Sequence, residues 1–164
     1  RAAKMADVLY DGGRFPFADA SFDGVLCTQV LEHVFTPEAF LGEVARVLRP
    51  GGVLVLTVPF VWDEHEQPHD FGRYSSFGLR ALLERNGLEV VRLEKTPADA
   101  RAVAQIVAGW VYKIALPLGR WPRFAVQVLV IGPIHLFGAL AAWILPGNED
   151  FYLDNIVLAR RARG

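Results

Sequence analysis

Residues 11–52 decide the fold of this chain, because four short motifs follow one another there in a fixed order. They read DGGRFPF (11–17), SFDGVLC (21–27), VLEHV (30–34) and RVLRPGG (46–52). Each motif is a pattern that turns, strands and helix ends produce in many proteins, so none is specific by itself. The order of the four, with apolar runs between turn signals, indicates strands and helices that alternate.

The alternation continues to residue 93 and predicts an α/β layered fold with a mainly parallel sheet. The apolar runs that predict strands lie at 7–10, 22–28, 53–58 and 88–93. The third run is nearly all branched aliphatic, as expected of a central parallel strand covered on both faces. Because ligands of such sheets sit beyond the carboxyl ends of the strands, the residues there are the first candidates for a site.

Two helices are predicted between these strands. The first begins with Thr36 as a hydroxyl N-cap and is ended by Pro50-Gly51-Gly52. The second is capped by Ser75 or Ser76 and stopped by Asn86-Gly87. Apolar residues recur at helical spacing in both segments, so one face of each helix is expected to pack on the sheet.

Composition excludes some classes of function. The 164 residues fit one domain, and a net charge of −1 without a basic stripe argues against nucleic-acid binding. The single cysteine, Cys27, excludes an intrachain disulfide, fits a reducing compartment and is expected to be a small core residue. The first residues contain no apolar signal-peptide core and do not begin with Met, so we expect a cytoplasmic protein and suspect a fragment.

In this order and spacing, the four motifs resemble the second half of a class I S-adenosylmethionine-dependent methyltransferase domain of the type 11-like group. The resemblance covers about residues 6–94. It implies a Rossmann-like sheet with a last antiparallel strand, S-adenosylmethionine as the cofactor, and methyl transfer as the reaction. Phe17 and Phe22 are interpreted as core residues, and Asp23 as a cap of local backbone amides.

Four residues at strand ends are predicted to bind the cofactor. Asp11 is placed to accept a hydrogen bond from an exocyclic amine, and Gly12 lets the backbone approach a flat ring; a simple Asp-Gly turn is the alternative. In the family that the chain resembles, the equivalent Asp commonly contacts adenine. The resemblance also implies that Thr28 and Gln29 line the methionine end of the cofactor.

The family's first strand, its Gly-x-Gly-x-Gly turn and the acidic end of its second strand are missing from the sequence. Gly12-Gly13 does not replace that turn, because no helix start follows it. We therefore expect the chain as given to bind S-adenosylmethionine weakly or not at all, and a longer chain to perform the catalysis.

The polar loop 59–74 follows the third strand of this half, where methyl acceptors bind in the fold that the chain resembles. His65 is the candidate general base. The candidate acceptor-binding residues are Trp62, His69, Asp70, Arg73 and Tyr74. The run PHDFGRY resembles bacterial methyltransferases often encoded near polysaccharide genes, which supports an acceptor role for some of these residues. The predicted acceptor is a small molecule, a glycan or a lipid-linked molecule, and the apolar insertion described below favours a lipid-linked or hydrophobic one. The alternative is an Asp70–Arg73 ion pair that only fixes the start of the next helix.

Glu32-His33 is a second candidate for catalysis, since a histidine titrates near neutral pH and accepts protons or binds metals. A structural or positioning role for His33 is the alternative. Small-RNA 2′-O-methyltransferases carry a similar Glu-x-x-Glu-His run that binds a metal together with a later His, and His65 and His69 lie downstream in this chain. Gln29 replaces the first carboxylate here, so no metal site is predicted, and a metal-assisted 2′-O-methyltransferase is the less favoured function.

Residues 102–145 are strongly apolar and separate the core (1–95) from a last strand and basic tail (149–164), within an insertion at 96–148. The insertion is interpreted as a helical lid, a shallow membrane attachment or a true span. Its four prolines are expected to divide it into short pieces. A span would place the strand at 151–159 across the membrane from its partners, so a lid or peripheral contact with the inner face of the cell membrane is favoured.

Two other functions compete with methyl transfer. A catalytically silent module would bind a membrane or a partner through 102–145 and would tolerate substitutions at Asp11. A nicotinamide-dependent oxidoreductase would need a Gly-rich dinucleotide turn, which the sequence lacks. The sequence identifies neither the acceptor nor the oligomeric state.

Overall fold

A computed structural model describes residues 7–10 and 12–163. The chain divides into two compact units. The first comprises the described residues up to Pro59, then 64–94 and 155–163, and the second comprises 60–63 and 95–154.

The first unit is built on a four-stranded sheet. Its strands are β1 (Phe22–Thr28), β2 (Leu48–Pro59), β3 (Leu88–Thr96) and β4 (Asp154–Arg161), in the order β1-β2-β4-β3. Strands β1 and β2 are parallel, as predicted, with Leu26 opposite Val55. Two hydrogen bonds show that the last strand is antiparallel to both neighbours. The amide of Ala162, just after β4, donates to the carbonyl of Gly87, just before β3, and the amide of Phe60, just after β2, donates to the carbonyl of Leu153, just before β4.

Helices α1 (Pro37–Val47) and α2 (Ser76–Arg85) pack on this sheet. The apolar face predicted for α1 is buried, and Leu79, Leu82 and Leu83 of α2 are buried in the same core. Ser75 caps α2 by accepting a hydrogen bond from the amide of Gly78, whereas the Thr36 side chain makes no cap hydrogen bond. The fold class predicted from the motifs is therefore confirmed, and the predicted cap at Thr36 is wrong.

Three local predictions are wrong at the edge of the sheet. Residues 7–10 form no strand, because in the described part of the chain none of the four strands pairs with them. The Phe17 side chain is 38% exposed and contacts Phe22 edge-on, so it is not a core residue. The carboxylate of Asp23 accepts a hydrogen bond from the Arg49 guanidinium at 2.5 Å instead of capping backbone amides.

The corner after α1 also differs from the prediction. The helix ends at Val47 and β2 begins at once at Leu48, so Pro50 lies inside the paired strand rather than at the helix end. The pairing jumps from Phe22–Leu48 to Gly24–Val53, which makes the intervening residues of β2 a bulge. A Cβ on Gly52 would lie 2.9 Å from the Arg49 carbonyl oxygen, so the bulge requires glycine at that position.

The second unit consists mainly of helices: α3 (Ala100–Ala115), α4 (Arg120–Val126) and α5 (Gly132–Ile144), with a π-helical turn (Gln127–Ile131) between the last two. Helices α3 and α5 pack closely, since a Cβ on Gly138 would lie 2.4 Å from the Cβ of Ala104. Its three helices lie within residues 96–148, the range of the predicted helical insertion.

Two of the four prolines do not interrupt the helices, contrary to the prediction. Helix 120–144 is continuous, with Pro122 in its first turn, where no intrahelical donor is lost. Pro133 follows the π-helical turn, whose wider backbone accommodates a residue without an amide hydrogen. Pro117 and Pro146 lie outside the helices, as predicted.

Within the described residues, helix Arg120–Ile144 is the one segment long and apolar enough to cross a membrane. Its most apolar 18-residue window has a mean hydropathy of 1.9, and 6% of that window is buried. Length and composition do not distinguish a span from other apolar helices.

An ion pair on α1 holds the segment that precedes β1. The Arg46 guanidinium donates to both carboxylate oxygens of Glu43 at 2.8 Å and to the carbonyl of Phe17 at 2.9 Å. Glu43 in turn accepts the amide of Phe15 at 2.7 Å. The hydrogen bond from Arg46 is the main reason that the pKa of Glu43 falls from 4.5 to about 2.

Replacing Glu43 by Gln is expected to lower the free energy of unfolding at neutral pH. The folded-state pKa lies below the unfolded value, so the stabilisation by the carboxylate is complete above pH 4.5 and is lost as the pH falls toward 2. Denaturant unfolding of both proteins between pH 7 and pH 2 measures the difference. A difference that stays constant over this range would contradict the role of the Glu43 charge.

Candidate functional site

The carboxyl ends of β1 and β2 are tied together at the predicted cofactor site. Thr28 ends β1 opposite Thr57, and the Gln29 amide donates to the Thr57 carbonyl at 2.9 Å. Gln29 has a φ of +52°, which turns the chain sharply as it leaves the strand, and its side-chain amide donates to the Thr57 hydroxyl at 3.3 Å. Both Thr28 and Gln29 are exposed at the edge where parallel sheets bind ligands.

The other two predicted cofactor residues lie in the preceding loop. Asp11 falls outside the described residues, so its predicted contact with adenine stays a prediction. Gly12 is exposed, and a Cβ there would meet no atom within 4 Å.

Glu32 lies in a single 3₁₀ turn (Leu31–His33) after β1 and is fully buried. Its backbone carbonyl accepts the amides of Phe71 and Gly72, at 2.7 and 3.1 Å. Its two carboxylate oxygens are buried without a hydrogen-bond partner. Burial raises the pKa of this carboxyl, and the backbone amide of Glu32 itself, followed by the neighbouring His33, His65 and Arg73, acts in the opposite direction.

His33 is fixed by the polar loop. Its Nδ1 lies 2.6 Å from the carbonyl oxygen of His69, and since a carbonyl only accepts, Nδ1 carries the hydrogen. The Nε2 atom lies 3.9 Å from a carboxylate oxygen of Glu32. The ring also contacts the ring of His65 edge-on, with 4.8 Å between the centroids. The two candidate catalytic histidines are therefore neighbours.

Asp70 organises the other side of this histidine pair. It accepts the backbone amide of His65 at 3.0 Å, and its Oδ2 lies 3.4 Å from Nδ1 of that ring. The Arg73 guanidinium donates to both carboxylate oxygens, at 2.6 and 2.7 Å, and this pairing holds the pKa of Asp70 well below its usual range. The ion pair that was the alternative interpretation of this loop is therefore present.

The remaining predicted acceptor residues have different surroundings. The Tyr74 hydroxyl donates to the carbonyl of Leu31 at 3.5 Å, in the core of the first unit. The His69 side chain is exposed beside Phe71. Trp62 belongs to the second unit, where it lines a small cavity with Arg101 and His135. Acceptor binding by these residues stays a prediction.

Sequence patterns did not single out two residues that support the loop. Thr57 connects β2 to Gln29, and Asn155 is buried and donates its side-chain amide to the carbonyl of Tyr74 at 2.7 Å. Thr57 is the one polar residue in the aliphatic run 53–58 of β2, which is the signal that would have marked it. Asn155, at the start of the last strand, carries no such signal.

The second unit contains an apolar cavity of about 960 Å³ between α3 and α5. Its lining includes Val107, Ile134, Phe137 and Leu145. The cavity is large enough for a small molecule, since ligand pockets of proteins commonly enclose roughly 300–1,000 Å³.

Comparison with known proteins gives the same assignment as the motifs. Residues 2–56 match the family model described as a methyltransferase domain. A demethylmenaquinone methyltransferase of Parafrankia sp. is 36% identical over 154 residues, which cover 85% of this chain and 52% of that protein. A thiol S-methyltransferase of Rattus norvegicus is 39% identical over 82 residues, which cover 50% of this chain and 28% of that protein.

Solved structures share the fold at low sequence identity. The [4+2]-cyclase SpnF superposes with a TM-score of 0.60 at 20% identity, over 96% of this chain and 56% of that one. The phosphoethanolamine N-methyltransferase 2 of Haemonchus contortus, in complex with S-adenosyl-L-methionine, gives 0.54 at 13% identity, over 90% and 35%. At these identities the likeness shows the fold alone, and the cyclase shows that one fold serves more than one reaction.

The sheet, its helices and its strand-end loops thus define a Rossmann-like α/β fold of the class I type. The matching family model and the relatives support a methyltransferase domain of the class I S-adenosylmethionine-dependent type in this chain. S-Adenosylmethionine is the cofactor of this class. The chain spans about half the length of the first relatives that it matches, 52% of one and 57% of another.

Replacing Arg73 by Gln is expected to lower the free energy of unfolding by about 1–3 kcal/mol, because the nearly buried Asp70 carboxylate would lose two charge-assisted hydrogen bonds. The matched control is Arg80→Gln, which removes an exposed pair with Glu84 at 3.6 Å and is expected to cost less than about 0.5 kcal/mol. Urea unfolding measures both changes. Equal effects would show that the Asp70–Arg73 pair does not stabilise the loop.

Proposed function

We propose that the protein carrying this chain transfers the methyl group of S-adenosylmethionine to a hydrophobic acceptor that it meets at the inner face of the cell membrane. The observation that carries the proposal is the exposed apolar surface of helix 120–144, in a chain that has the methyltransferase fold. Large exposed apolar surfaces mark sites of protein, ligand or membrane interaction.

The side chains of this helix support a membrane contact. Trp143, Phe137 and Leu129 are 88%, 75% and 72% exposed. Tryptophans stand near both ends of the helix, at Trp121 and Trp143, which is the usual place of aromatic residues at a membrane interface. The first turn also carries Arg120 and Arg123, which would attract anionic headgroups.

The apolar cavity supports a hydrophobic acceptor. Its walls are mainly aliphatic and aromatic, with few polar groups among the residues that line it. An acceptor with a long apolar part would gain free energy by leaving water for such a lining, at about 25 cal/mol for each Å² buried. A charged, water-soluble acceptor would gain nothing comparable there.

Methyl transfer requires the protein to orient the acceptor toward the methyl group and to exclude water, and little else. When bound, S-adenosylmethionine supplies an electrophilic methyl group. The residues proposed to hold the cofactor are Asp11 and Gly12 at adenine, with Thr28 and Gln29 at the methionine end. An acceptor amine or thiolate would need no base from the chain, and for a hydroxyl acceptor His65 and His33 are the predicted proton acceptors.

The relatives leave the acceptor open. One is a demethylmenaquinone methyltransferase and another a thiol S-methyltransferase. A hydrophobic acceptor of either chemical kind is compatible with the apolar cavity, and the choice between a carbon, oxygen or sulfur nucleophile rests on experiment.

The activity test uses the native protein that carries this chain, S-adenosylmethionine labelled in the methyl group, and a cell extract separated into organic and aqueous fractions. Label is expected in the organic fraction, because the acceptor is proposed to be hydrophobic. Label in the aqueous fraction alone would overturn the acceptor class. Absence of label from both fractions would overturn methyl transfer and favour the catalytically silent module.

Membrane contact is tested by sedimentation with vesicles of phosphatidylcholine and phosphatidylglycerol. Phe137→Asp is expected to weaken vesicle binding at least about tenfold, since inserting one Phe contributes about 1.5–3 kcal/mol. Phe77→Asp is the matched control, because Phe77 is 83% exposed on α2 and belongs to the first unit.

Equal binding of the two variants would overturn attachment through helix 120–144. Washing the vesicles at alkaline pH then distinguishes the mode of attachment. A peripheral protein is released by this wash, whereas a protein that stays in the vesicles would span the bilayer and contradict the peripheral contact.

A further inference from the structure

Three metal-ligating side chains meet in the first unit outside the residues proposed to hold the cofactor. One carboxylate oxygen of Glu32 and one ring nitrogen each of His33 and His65 all lie within 4.8 Å of one another. They come from two segments far apart in sequence, the turn after β1 and the loop after β2. The fold therefore brings them together, and no local motif contains all three.

The Glu32 carboxylate is the group in this cluster that indicates a bound cation. It is fully buried, and neither of its oxygens has a hydrogen-bond partner. A buried ionised carboxylate without a partner is costly, so such groups are normally paired with a cation or coordinate a metal. The Nε2 atom of His33 is 3.9 Å from the nearer carboxylate oxygen, too far for a hydrogen bond.

Both histidines are held in the way that metal-ligating histidines are held. The Nδ1–H of His33 donates to the carbonyl of His69, which places the lone pair on Nε2, the nitrogen near Glu32. Nδ1 of His65 faces the Asp70 carboxylate at 3.4 Å. Orientation of one ring nitrogen by a carbonyl or a carboxylate is the usual support of a histidine whose other nitrogen binds a metal.

Arg73 completes this support from outside the cluster. It fixes both oxygens of Asp70, so the carboxylate that faces His65 cannot rotate away. The Asp70–Arg73 pair therefore fixes the carboxylate that faces the His65 ring.

We propose that Glu32, His33 and His65 bind a divalent transition metal, with Zn²⁺ as the first candidate. Two histidines and one carboxylate form a known ligand set for zinc and for non-haem iron, and three protein ligands leave at least one position open. Tetrahedral ligands at zinc lie roughly 3.3 Å apart, so binding draws the cluster together by about 1.5 Å at most. Small rotations of the side chains supply that distance.

The proposal revises the expectation that the chain has no metal site. That expectation rested on Gln29, which stands where a carboxylate would be needed in a local motif. In the structure the Gln29 side chain donates to Thr57, and His65 from the distant loop completes the set of three. A metal would also take the lone pairs of His65 and His33, so metal binding replaces the proton-acceptor role predicted for both residues.

The test measures metal binding directly and does not depend on methyl transfer. The native protein that carries this chain is stripped with a chelator and titrated with Co²⁺, whose visible absorption reports coordination by nitrogen and oxygen, and with Zn²⁺ in competition. One equivalent of metal is expected to bind. Glu32→Gln and His65→Ala are each expected to weaken binding at least about tenfold, and Asp70→Asn by roughly 10–100-fold.

His69→Ala is the matched control. It removes a histidine of the same loop but keeps the backbone carbonyl that holds His33, so metal affinity is expected to stay unchanged. Glu32→Gln also distinguishes loss of a ligand from misfolding, because removal of a buried charge is not expected to destabilise the apo protein. The apo form of this variant is expected to unfold at a temperature equal to or above that of the wild type, and to lose the rise in unfolding temperature on adding Zn²⁺.

Two results would overturn the proposal: no stoichiometric binding by the wild type, or binding that Glu32→Gln and His65→Ala leave unchanged. The first would leave Glu32 as a buried acid and the histidines as candidates for proton transfer. The second would place the metal elsewhere on the protein.

Discussion

The parallel pairing of β1 with β2 is the constraint on which the first unit depends. Parallel strands cannot be joined by a short turn, so the chain between them must leave the sheet, form α1 and return. Both strands then end at the same edge, which brings Thr28 beside Thr57 and places the Glu32-His33 turn near the loop that follows β2. Without this register, the strand-end residues would not share a site.

The loop after β2 is ordered by charge and by hydrogen bonds to backbone. Asp70 binds Arg73 and the amide of His65, while the carbonyl of Glu32 accepts two amides from the same loop. These contacts hold the histidines without regular secondary structure. A loop fixed in this way is suited to a site, because its side chains keep their positions before any ligand arrives.

Much of the fold was readable from the sequence because hydrophobic period and turn chemistry act locally. The runs at 22–28, 53–58 and 88–93 and the helix after Thr36 were predicted from such signals, and all are present. The prediction of a strand at 7–10 is wrong because a strand forms only by pairing with a neighbour, and a run of apolar residues does not indicate that neighbour. Likewise Pro133 was expected to break a helix, and the π-helical turn before it could not be read from composition.

The site was less predictable than the fold for a similar reason. Each of Glu32, His33 and His65 was visible as a residue, but their meeting depends on how two loops pack. The Asp70–Arg73 pair is predictable because its two residues are three positions apart. The contact of Asn155 with Tyr74 spans 81 positions, so no local sequence pattern indicates it. Polar contacts between residues far apart in the chain cannot be predicted from a single sequence.

The position of β1 in the sheet has a practical consequence. In the described residues it is an edge strand, and its Leu26 side chain is 72% exposed. An edge strand with apolar side chains presents unpaired backbone groups to any extended segment that approaches it. A further strand that paired with β1 would therefore extend the sheet at this edge.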